Sequence, residues 1–286
     1  MDILKYFPDK IVQVISNTVS KEEEKVLEEI RIRVSKPIIL KSNTNEIITN
    51  YIISTQDILE ILEKITENSI YSYQKQMCLG YITLKGGHRV GISGNAVMEN
   101  EKVININYIY SLNFRIAKQI IGASNKILDE VFNNNYIYNT LIFSPPGAGK
   151  TTILRDLIRN ISNYKTIGVV DERGEIAAMY KNEPQNDVGV KVDILNNISK
   201  PIGIKMLVRS MSPDLICADE IGTKEDIEAI KYAITSGVKG IFTAHGDSLK
   251  SIKQSPILKE LVELGLIEKV IILNKNDREN IKIEKL

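Results

Sequence analysis

A glycine-bearing loop between a predicted strand and a predicted helix carries the strongest chemical signal in the sequence. The loop follows the apolar run TLIFS, precedes the helical pattern TILRDLIRNI, and reads Ser144-Pro145-Pro146-Gly147-Ala148-Gly149-Lys150-Thr151-Thr152. In such a P-loop, backbone N–H groups and the start of the helix surround a di- or triphosphate. Lys150 would reach the β and γ phosphates and Thr151 would ligate Mg²⁺. The spacing therefore predicts ATP and Mg²⁺ as cofactors.

One position departs from the usual P-loop pattern. Ser144 stands where that pattern has its first glycine. We expect the substitution to weaken the phosphate site without abolishing it, because Gly147 and Gly149 still allow the backbone to approach the phosphates. The alternative interpretation is a glycine turn that binds no ligand.

Acidic residues end two further apolar strands. The run LICADE ends in Asp219 and Glu220, and the run VVDER contains Asp171 and Glu172. Because ligands gather at the carboxyl ends of parallel strands, we expect both pairs beside the P-loop. Asp219 and Asp171 would hold Mg²⁺ with Thr151, while Glu220 and Glu172 would orient or deprotonate the attacking water. In the alternative interpretation the acids have only a structural role. The first pair would then be ordinary acids at a strand end, and an acid of the second pair would form a surface ion pair with Arg173.

A histidine ends the next strand. In the run IFTAHG, His245 precedes the turn residue Gly246. An imidazole at this edge could hydrogen-bond the γ phosphate or the acids and report the nucleotide state. The alternative, which the sequence favours equally, is a structural histidine whose hydrogen bonds are all made within the protein.

The elements that would position these residues form two α/β domains. We predict an N-terminal domain over residues 1–125, with a helix from Thr55 to Thr66 behind a threonine cap, strands IRIRV and EIITN, and a hairpin at Gly86 and Gly87. A linker over 126–138 leads to residues 139–286. There the apolar strands TLIFS, TIGVVD, DLICAD, GIFTA and VIIL alternate with helices, which predicts a mainly parallel sheet covered on both faces.

Composition excludes several classes of protein. The 286 residues include 37 basic and 36 acidic side chains, so no bulk charge draws the chain to nucleic acid or to an anionic membrane. Two cysteines and two histidines are too few for a disulfide framework or a histidine-rich metal cluster. With no secretory signal and no apolar run of membrane-spanning length, we expect a cytoplasmic protein without a transmembrane segment.

The four strand ends, in this order, resemble the secretion-ATPase branch of the RecA-like P-loop proteins. Within that branch, the segments GKTTILRDLIR, VVDERGEIA, VRSMSPDLICADEIGTKEDIEAI and SGVKGIFTAHG are similar to the stage III sporulation protein AA family of endospore-forming bacteria. The amino-terminal segments EEIRIRVSKPI and GYITLKGGHRVGISGNAV are similar to that family as well. The resemblance covers most of the chain and implies a RecA-like P-loop ATPase core behind a smaller α/β domain.

The same resemblance implies how the protein works. It implies a homo-hexameric ATPase of the mother cell that lies peripheral to a membrane and docks on the channel proteins between mother cell and forespore. Such rings place the nucleotide between subunits, where an arginine can offset charge on the γ phosphate. The candidates are Arg31, Arg33, Arg89, Arg115 and Arg209.

Two other functions remain open at this point. A nucleotide-gated ring scaffold would assemble on ATP and hydrolyse little of it. A RecA-like DNA-dependent ATPase would need a basic groove or a stacking platform for single strands, and the balanced charge and absence of tryptophan make it the weakest hypothesis.

Overall fold

The chain divides into two structural units. The computed structural model describes residues 2–42, 45–246, 248–275 and 281–286. The first unit is Met1–Lys118 with Tyr180–Gln185, and the second is Gln119–Met179 with Asn186–Leu286. The division thus falls earlier than the expected linker at 126–138, and a short segment of the predicted ATPase domain belongs to the first unit.

An antiparallel six-stranded sheet forms the first unit, with strand order β3-β2-β1-β6-β5-β4. Its elements are a 3₁₀ helix (Asp2–Tyr6), α1 (Asp9–Thr18), α2 (Lys21–Val26), β1 (Leu27–Arg33), β2 (Pro37–Ser42), β3 (Glu46–Ile52), α3 (Thr55–Ile65), α4 (Ile70–Cys78), β4 (Tyr81–Thr83), β5 (Arg89–Glu99) and β6 (Lys102–Arg115). The predicted strands and the hairpin turn at Gly86 and Gly87 are confirmed, both glycines having positive φ.

The predicted helix at Thr55 is confirmed, but its cap is not the threonine. Ser54 accepts a hydrogen bond from the N–H of Asp57, and the Asp57 carboxylate accepts one from the N–H of Ser54. This reciprocal capping box occupies two backbone donors at the helix start. Ile58, Ile61 and Ile65 on the inner face are buried in the core of the unit.

The segment Tyr180–Gln185 contacts the rest of the first unit through side chains. The Tyr180 hydroxyl donates to Glu67 and lies 3.3 Å from the hydroxyl of Tyr73. Lys181 Nζ lies 2.8 Å from the Glu67 carboxylate. The Gln185 side chain accepts a 2.7 Å hydrogen bond from the N–H of Gly86. No periodic pattern in the sequence indicates that residues Tyr180–Gln185 belong to the first unit.

A seven-stranded sheet forms the second unit, with strand order β11-β10-β12-β13-β9-β14-β15. The elements are α5 (Leu128–Val131), β7 (Phe132–Asn133), β8 (Tyr136–Ile137), β9 (Thr140–Ser144), α6 (Lys150–Ile161), β10 (Ile167–Asp171), β11 (Val192–Asn196), α7 (Lys200–Ser210), β12 (Leu215–Ala218), α8 (Lys224–Thr235), β13 (Lys239–His245), α9 (Leu249–Gln254), α10 (Pro256–Glu263), β14 (Lys269–Leu273) and β15 (Ile281–Lys285). Every neighbouring pair is parallel except β14 with β15.

Both faces of this sheet are covered, as the continuous apolar runs predict. Along β9, Leu141 and Phe143 join one hydrophobic cluster, whereas Ile142 joins the cluster on the other face. The first cluster contains residues of α7, α8 and α10, and the second contains the apolar face of α6. Each buried aliphatic or aromatic side chain contributes about 1.5–3 kcal/mol, so the sheet is a rigid platform for the loops at its edge.

Residues 126–138 are folded into the second unit. Asn134 and Asn135 both have positive φ and form a two-residue turn between β7 and β8. Such a turn needs two left-handed residues, which asparagine adopts at low cost. Ile127, Val131 and Ile137 are buried in the same cluster as α6, so this segment is part of the second core.

Within the described residues, none of the helices combines the length and the apolar composition needed to cross a bilayer.

Candidate functional site

The strand order brings the chemical residues to one edge of the second sheet. β10, β12, β13 and β9 are parallel neighbours, so their carboxyl ends lie side by side. Asp171, Asp219, His245 and Ser144 are therefore found at the same edge, in that order.

The P-loop has the backbone that phosphate binding needs. Gly147 and Gly149 have φ of 77° and 95°, in the left-handed region where only glycine is unstrained. Gly149 is the N-cap of α6 and no side chain caps the helix. The first N–H groups of α6 therefore have no intrahelical or side-chain acceptor, and the helix dipole favours an anion there. The space around Gly149 is open, because a Cβ at this position would meet no heavy atom within 4 Å.

Ser144 occupies the first P-loop position without strain. It is the last residue of β9 and is buried. Its hydroxyl donates to the carbonyl of Pro145 at 2.9 Å, and its own carbonyl accepts from the N–H of Gly246 at 3.1 Å. The extended backbone at Ser144 does not require glycine.

A chain of four side chains crosses the site. Lys150 Nζ lies 3.1 Å from Nδ1 of His245, and His245 Nε2 lies 3.0 Å from Oε1 of Glu220. The second carboxylate oxygen of Glu220 accepts from the guanidinium of Arg173. An ammonium group only donates, so Nδ1 of His245 accepts from Lys150 and the Nε2–H donates to Glu220. This pattern assigns the neutral Nε2–H tautomer to His245.

Burial changes the chemistry of Lys150. The side chain is only 5% exposed. Burial lowers the pKa of Lys150, although the neighbouring carboxylates of Asp219 and Glu220 act in the opposite direction. A buried cation held at the head of an uncapped helix is suited to an anionic ligand.

Thr151 and Asp219 meet where a P-loop protein holds its metal. The Thr151 hydroxyl donates to Oδ2 of Asp219 at 2.5 Å, and the Thr243 hydroxyl donates to the other oxygen. A hydroxyl and a carboxylate are the oxygen ligands that Mg²⁺ prefers, and Mg²⁺ usually takes its remaining ligands from water and phosphate. The described residues contain no group of three or more His, Cys, Asp or Glu side chains that could hold an ion alone.

Asp171 shapes the loop that follows β10. Its buried carboxylate accepts hydrogen bonds from the N–H groups of Glu175 at 2.7 Å, Ile176 at 3.1 Å and Ala177 at 2.8 Å. Arg155 braces the same turn, because its guanidinium donates to the carbonyls of Glu175 and Ile176 at 2.6 and 2.8 Å. This turn fixes the backbone that carries Arg173.

The other predicted acid of this loop, Glu172, pairs with Lys200 at the start of α7. Lys200 is about nine-tenths buried, whereas the Glu172 side chain is 38% exposed. The pair thus joins the loop after β10 to α7.

The backbone N–H of Glu220 connects this residue to Thr243 of β13. Glu220 has φ of 51°, which is uncommon for a residue with a side chain. Its N–H donates to the Thr243 hydroxyl at 2.8 Å and to Asp219 Oδ1 at 3.1 Å. Such strained conformations persist where the surroundings hold them, and they concentrate at functional sites.

Arg209 lies away from the P-loop. It is in the last turn of α7, and its guanidinium lies 5.8 Å from the ring centre of Tyr232. The amino ends of the parallel strands form the edge of the sheet opposite to the P-loop. A groove of about 570 Å³ lies at that edge and is lined by residues such as Lys165, Ser212 and Tyr232, but by no residue of the P-loop. The structure therefore does not bring Arg209 to the site within its own unit.

The remaining arginine candidates belong to the first unit. Arg31 is paired with Glu29 at 2.7 Å, and Arg89 lies over the ring of Tyr81 at 4.8 Å. Arg115 is the register partner of both Glu29 and Arg89, and Arg33 is the register partner of Ser111.

Sequence reasoning gave no functional role to three residues of the site, Arg155, Arg173 and Thr243, and considered Arg173 only as a surface partner for an acid. Arg155 carries one available signal, because it lies four residues after Thr151 and therefore on the same face of α6. Arg173 and Thr243 carry no such signal, since their partners come from other strands.

Comparison with known proteins places the chain among sporulation proteins. The family model described as "Sporulation stage III, protein AA" matches residues 1–284. Stage III sporulation protein AA of Bacillus subtilis (strain 168) is 35% identical over 281 residues, which are 96% of this chain and 91% of that protein.

Solved structures with a similar fold include an ATPase and a pilus retraction motor. The Legionella pneumophila ATPase DotB matches with a TM-score of 0.61 at 15% identity, over 93% of this chain and 76% of DotB. The pilus retraction motor PilT, solved with bound ADP, matches with a TM-score of 0.63 at 14% identity, over 92% of this chain and 76% of PilT. At these identities the likeness establishes the fold, which is the predicted RecA-like P-loop fold with a parallel-rich sheet.

Proposed function

The chain belongs to the sporulation stage III protein AA family, and from that premise we propose that it is a Mg²⁺-dependent ATPase. The observation that carries the proposal is the contact between Thr151 and Asp219 at 2.5 Å, beside the buried Lys150. The P-loop threonine and the strand-end acid meet there as the two ligands that a nucleotide-bound Mg²⁺ requires.

The fit of nucleotide to the site rests on three features of the P-loop. The start of α6 is uncapped, Gly147 and Gly149 are left-handed, and Lys150 lies at the first helical position. Residues Ser144 to Thr152 therefore enclose the phosphates of ATP, with backbone N–H groups as donors and Lys150 on the β and γ phosphates.

Glu220 is the residue that acts on water. Its carboxylate orients the attacking water and accepts one proton from it, while the water oxygen bonds to the γ phosphorus. The bond between that phosphorus and the β–γ bridging oxygen breaks, and the products are ADP and inorganic phosphate. Mg²⁺, when bound, would offset negative charge on the phosphates. Thr151 and Asp219 would hold it, and His245 would report the phosphate through its contacts with Lys150 and Glu220.

Asp171 and Glu172 have supporting roles in this proposal. Asp171 would not bind Mg²⁺ directly, because its carboxylate already accepts hydrogen bonds from three backbone N–H groups. Glu172 joins the loop to Lys200. Together they hold the backbone of the loop after β10 in place.

We place this activity in a homo-hexameric ring that lies peripheral to a membrane in the mother cell. The support is membership of the sporulation family and the fold shared with the pilus motor PilT and the ATPase DotB. The ring would power or gate the membrane channel proteins between mother cell and forespore.

The experiment that tests the enzyme separates binding from turnover. We expect Glu220→Gln to bind Mg²⁺-ATP with wild-type affinity and to lose about 10²-fold or more in turnover, because the amide cannot accept the proton. Glu225→Gln, an exposed acid in the first turn of α8, is the matched control. Hydrolysis at the wild-type rate by Glu220→Gln would remove the role given to that carboxylate. Nucleotide-dependent assembly without hydrolysis by the wild type would instead identify a scaffold.

A further inference from the structure

Arg173 is an exposed cation in direct contact with the hydrolytic acid. Its side chain is 63% exposed, and its Nη1 donates to Glu220, whose side chain is 22% exposed. The other oxygen of Glu220 accepts from His245, which in turn contacts Lys150. Two side chains therefore separate Arg173 from the lysine that binds the β and γ phosphates.

The guanidinium of Arg173 retains donors for a second partner. A guanidinium has five N–H groups in a planar fork, and the ion pair with Glu220 uses one nitrogen. Among the described residues, no other hydrogen bond of the Arg173 side chain is found. Two phosphate oxygens can accept from the remaining N–H groups while the contact with Glu220 persists, which is the bidentate geometry that arginine favours.

The backbone that carries Arg173 is held on both sides. Asp171 and Arg155 brace the turn after it, and Glu172 immediately before it is paired with Lys200. Glu220 is held by its backbone hydrogen bond to Thr243. The ion pair thus joins two fixed loops, and the position of the guanidinium is set before a ligand arrives, which reduces the cost of ordering it.

A triphosphate at this edge would add negative charge beside Asp219 and Glu220, and cations nearby would offset it. Lys150 belongs to the P-loop, and Lys275 lies near it, since a Cβ on Gly147 would be 3.8 Å from Cε of Lys275. Lys200 is engaged with Glu172, and Arg155 donates to backbone carbonyls. Of the cations in the described loops after β10, β12 and β13, Arg173 is the one that faces solvent beside Glu220.

We propose that Arg173 binds the γ phosphate of ATP in cis, positioned by Glu220, and offsets the charge that develops there during hydrolysis. The inference rests on the proposed ATPase function and gives this role to the same chain that supplies the P-loop. The arginines of the first unit and Arg209 are not needed for it. Because ADP lacks the γ phosphate, Arg173 distinguishes ATP from ADP.

Equilibrium binding of full-length protein to a non-hydrolysable ATP analogue and to ADP tests the contact without relying on turnover. We expect Arg173→Ala to weaken binding of the analogue about tenfold or more and to leave ADP affinity within about twofold. Arg173→Lys should recover part of the loss. Lys231→Ala, which removes an exposed charge from α8, is the control for net charge. Equal loss of both ligands, or loss of neither, would overturn the proposal.

Turnover adds a second test. Arg173→Ala should lower kcat by about 10²-fold or more. Mixing Arg173→Ala with Lys150→Ala subunits should restore no activity, because a cis arginine cannot serve a neighbour's site. Recovery on mixing would overturn the cis assignment. A wild type that binds the analogue through Arg173 yet hydrolyses no ATP would reject the ATPase function and leave the contact standing.

Discussion

Lys150 of the P-loop and His245 at the end of β13 are joined by a 3.1 Å contact between Nζ and Nδ1. The contact follows from strand register, because β13 pairs with β9 so that His245 lies opposite Ser144. It connects the lysine proposed to bind phosphate to a histidine that also contacts Glu220, the proposed hydrolytic acid. In the proposed mechanism, a change of phosphate at Lys150 would reach Glu220 through one imidazole ring.

Removal of the P-loop lysine should severely weaken nucleotide binding. Lys150→Ala deletes a buried cation aimed at the β and γ phosphates, and we expect ATP affinity to fall about tenfold or more, since hydrogen bonds to charged groups contribute about 1.5–3 kcal/mol. Equilibrium binding of a fluorescent ATP analogue measures this. Lys165→Ala, at the opposite edge of the sheet, should bind normally. Wild-type affinity in Lys150→Ala would mean that the nucleotide lies elsewhere.

The hydroxyl of Thr151 should set the requirement for Mg²⁺. Thr151→Val keeps the shape of the side chain and removes the metal ligand, so the Mg²⁺ concentration for half-maximal hydrolysis should rise about tenfold. Thr151→Ser retains the hydroxyl and should behave like the wild type. A Mg²⁺ titration of hydrolysis distinguishes them. The assignment fails if valine and serine variants give the same curve.

The serine at the first P-loop position should not limit binding, whereas the last glycine should be indispensable. Ser144 has extended backbone, so Ser144→Gly should change ADP affinity by less than about twofold. Gly149 has φ of 95°, and Gly149→Ala adds about 1–2 kcal/mol of backbone strain, which predicts a loss of about five- to thirtyfold. Calorimetric titration with ADP measures both. Tighter binding by Ser144→Gly of about tenfold or more would show that the serine does weaken the site.

Asp156 should stabilise the second unit in a pH-dependent way. This buried residue of α6 accepts hydrogen bonds from the N–H groups of Gly122 and Ser124 and from the Ser124 hydroxyl, and it pairs with Arg159. Burial alone would raise the pKa of Asp156, but these donors outweigh it and hold the pKa below its usual value. The stabilisation is therefore complete above the unfolded-state pKa and is lost as the pH falls through the lower folded-state pKa.

Asp156→Asn should lower the free energy of unfolding by about 1–3 kcal/mol at neutral pH. The difference from the wild type should shrink below about pH 4, where the unfolded-state carboxyl titrates. Denaturant unfolding at several pH values measures it, with the exposed Asp129→Asn as control. A difference that stays constant from about pH 7 to about pH 3 would contradict the charged role of Asp156.

The sequence was sufficient to predict the elements that surround the P-loop, because each is marked locally. Continuous apolar runs mark β9, β10, β12, β13 and β14, and glycine spacing marks the phosphate loop. It did not predict β6, although Ile104, Ile106, Tyr108, Tyr110, Leu112 and Phe114 alternate along this strand with mostly polar residues. The capping role of Ser54 was not predicted either. The helix and strands within residues 126–138 are only two to four residues long. Their hydrophobic residues therefore show no helical or strand periodicity from which burial in the second core could be predicted.

The pairing of the acids could not be predicted, for a different reason. The partners Glu220–Arg173 and Glu172–Lys200 come from separate strands and loops, and their contact depends on β10 lying beside β12. No local pattern encodes that order. Likewise, sequence proximity favours Arg173 as a surface partner for an acid of its own loop, whereas the structure pairs it with the acid of the neighbouring strand.

The most direct test of the ATPase is Mg²⁺-dependent hydrolysis of ATP by the full chain over a range of protein concentrations, with molar mass recorded by light scattering on the same samples. Lys150→Ala serves as the blank. The account predicts hydrolysis that requires Mg²⁺, disappears in Lys150→Ala, and rises per subunit as oligomers form. Absence of Mg²⁺-dependent hydrolysis at every concentration, or equal hydrolysis by Lys150→Ala, would contradict it.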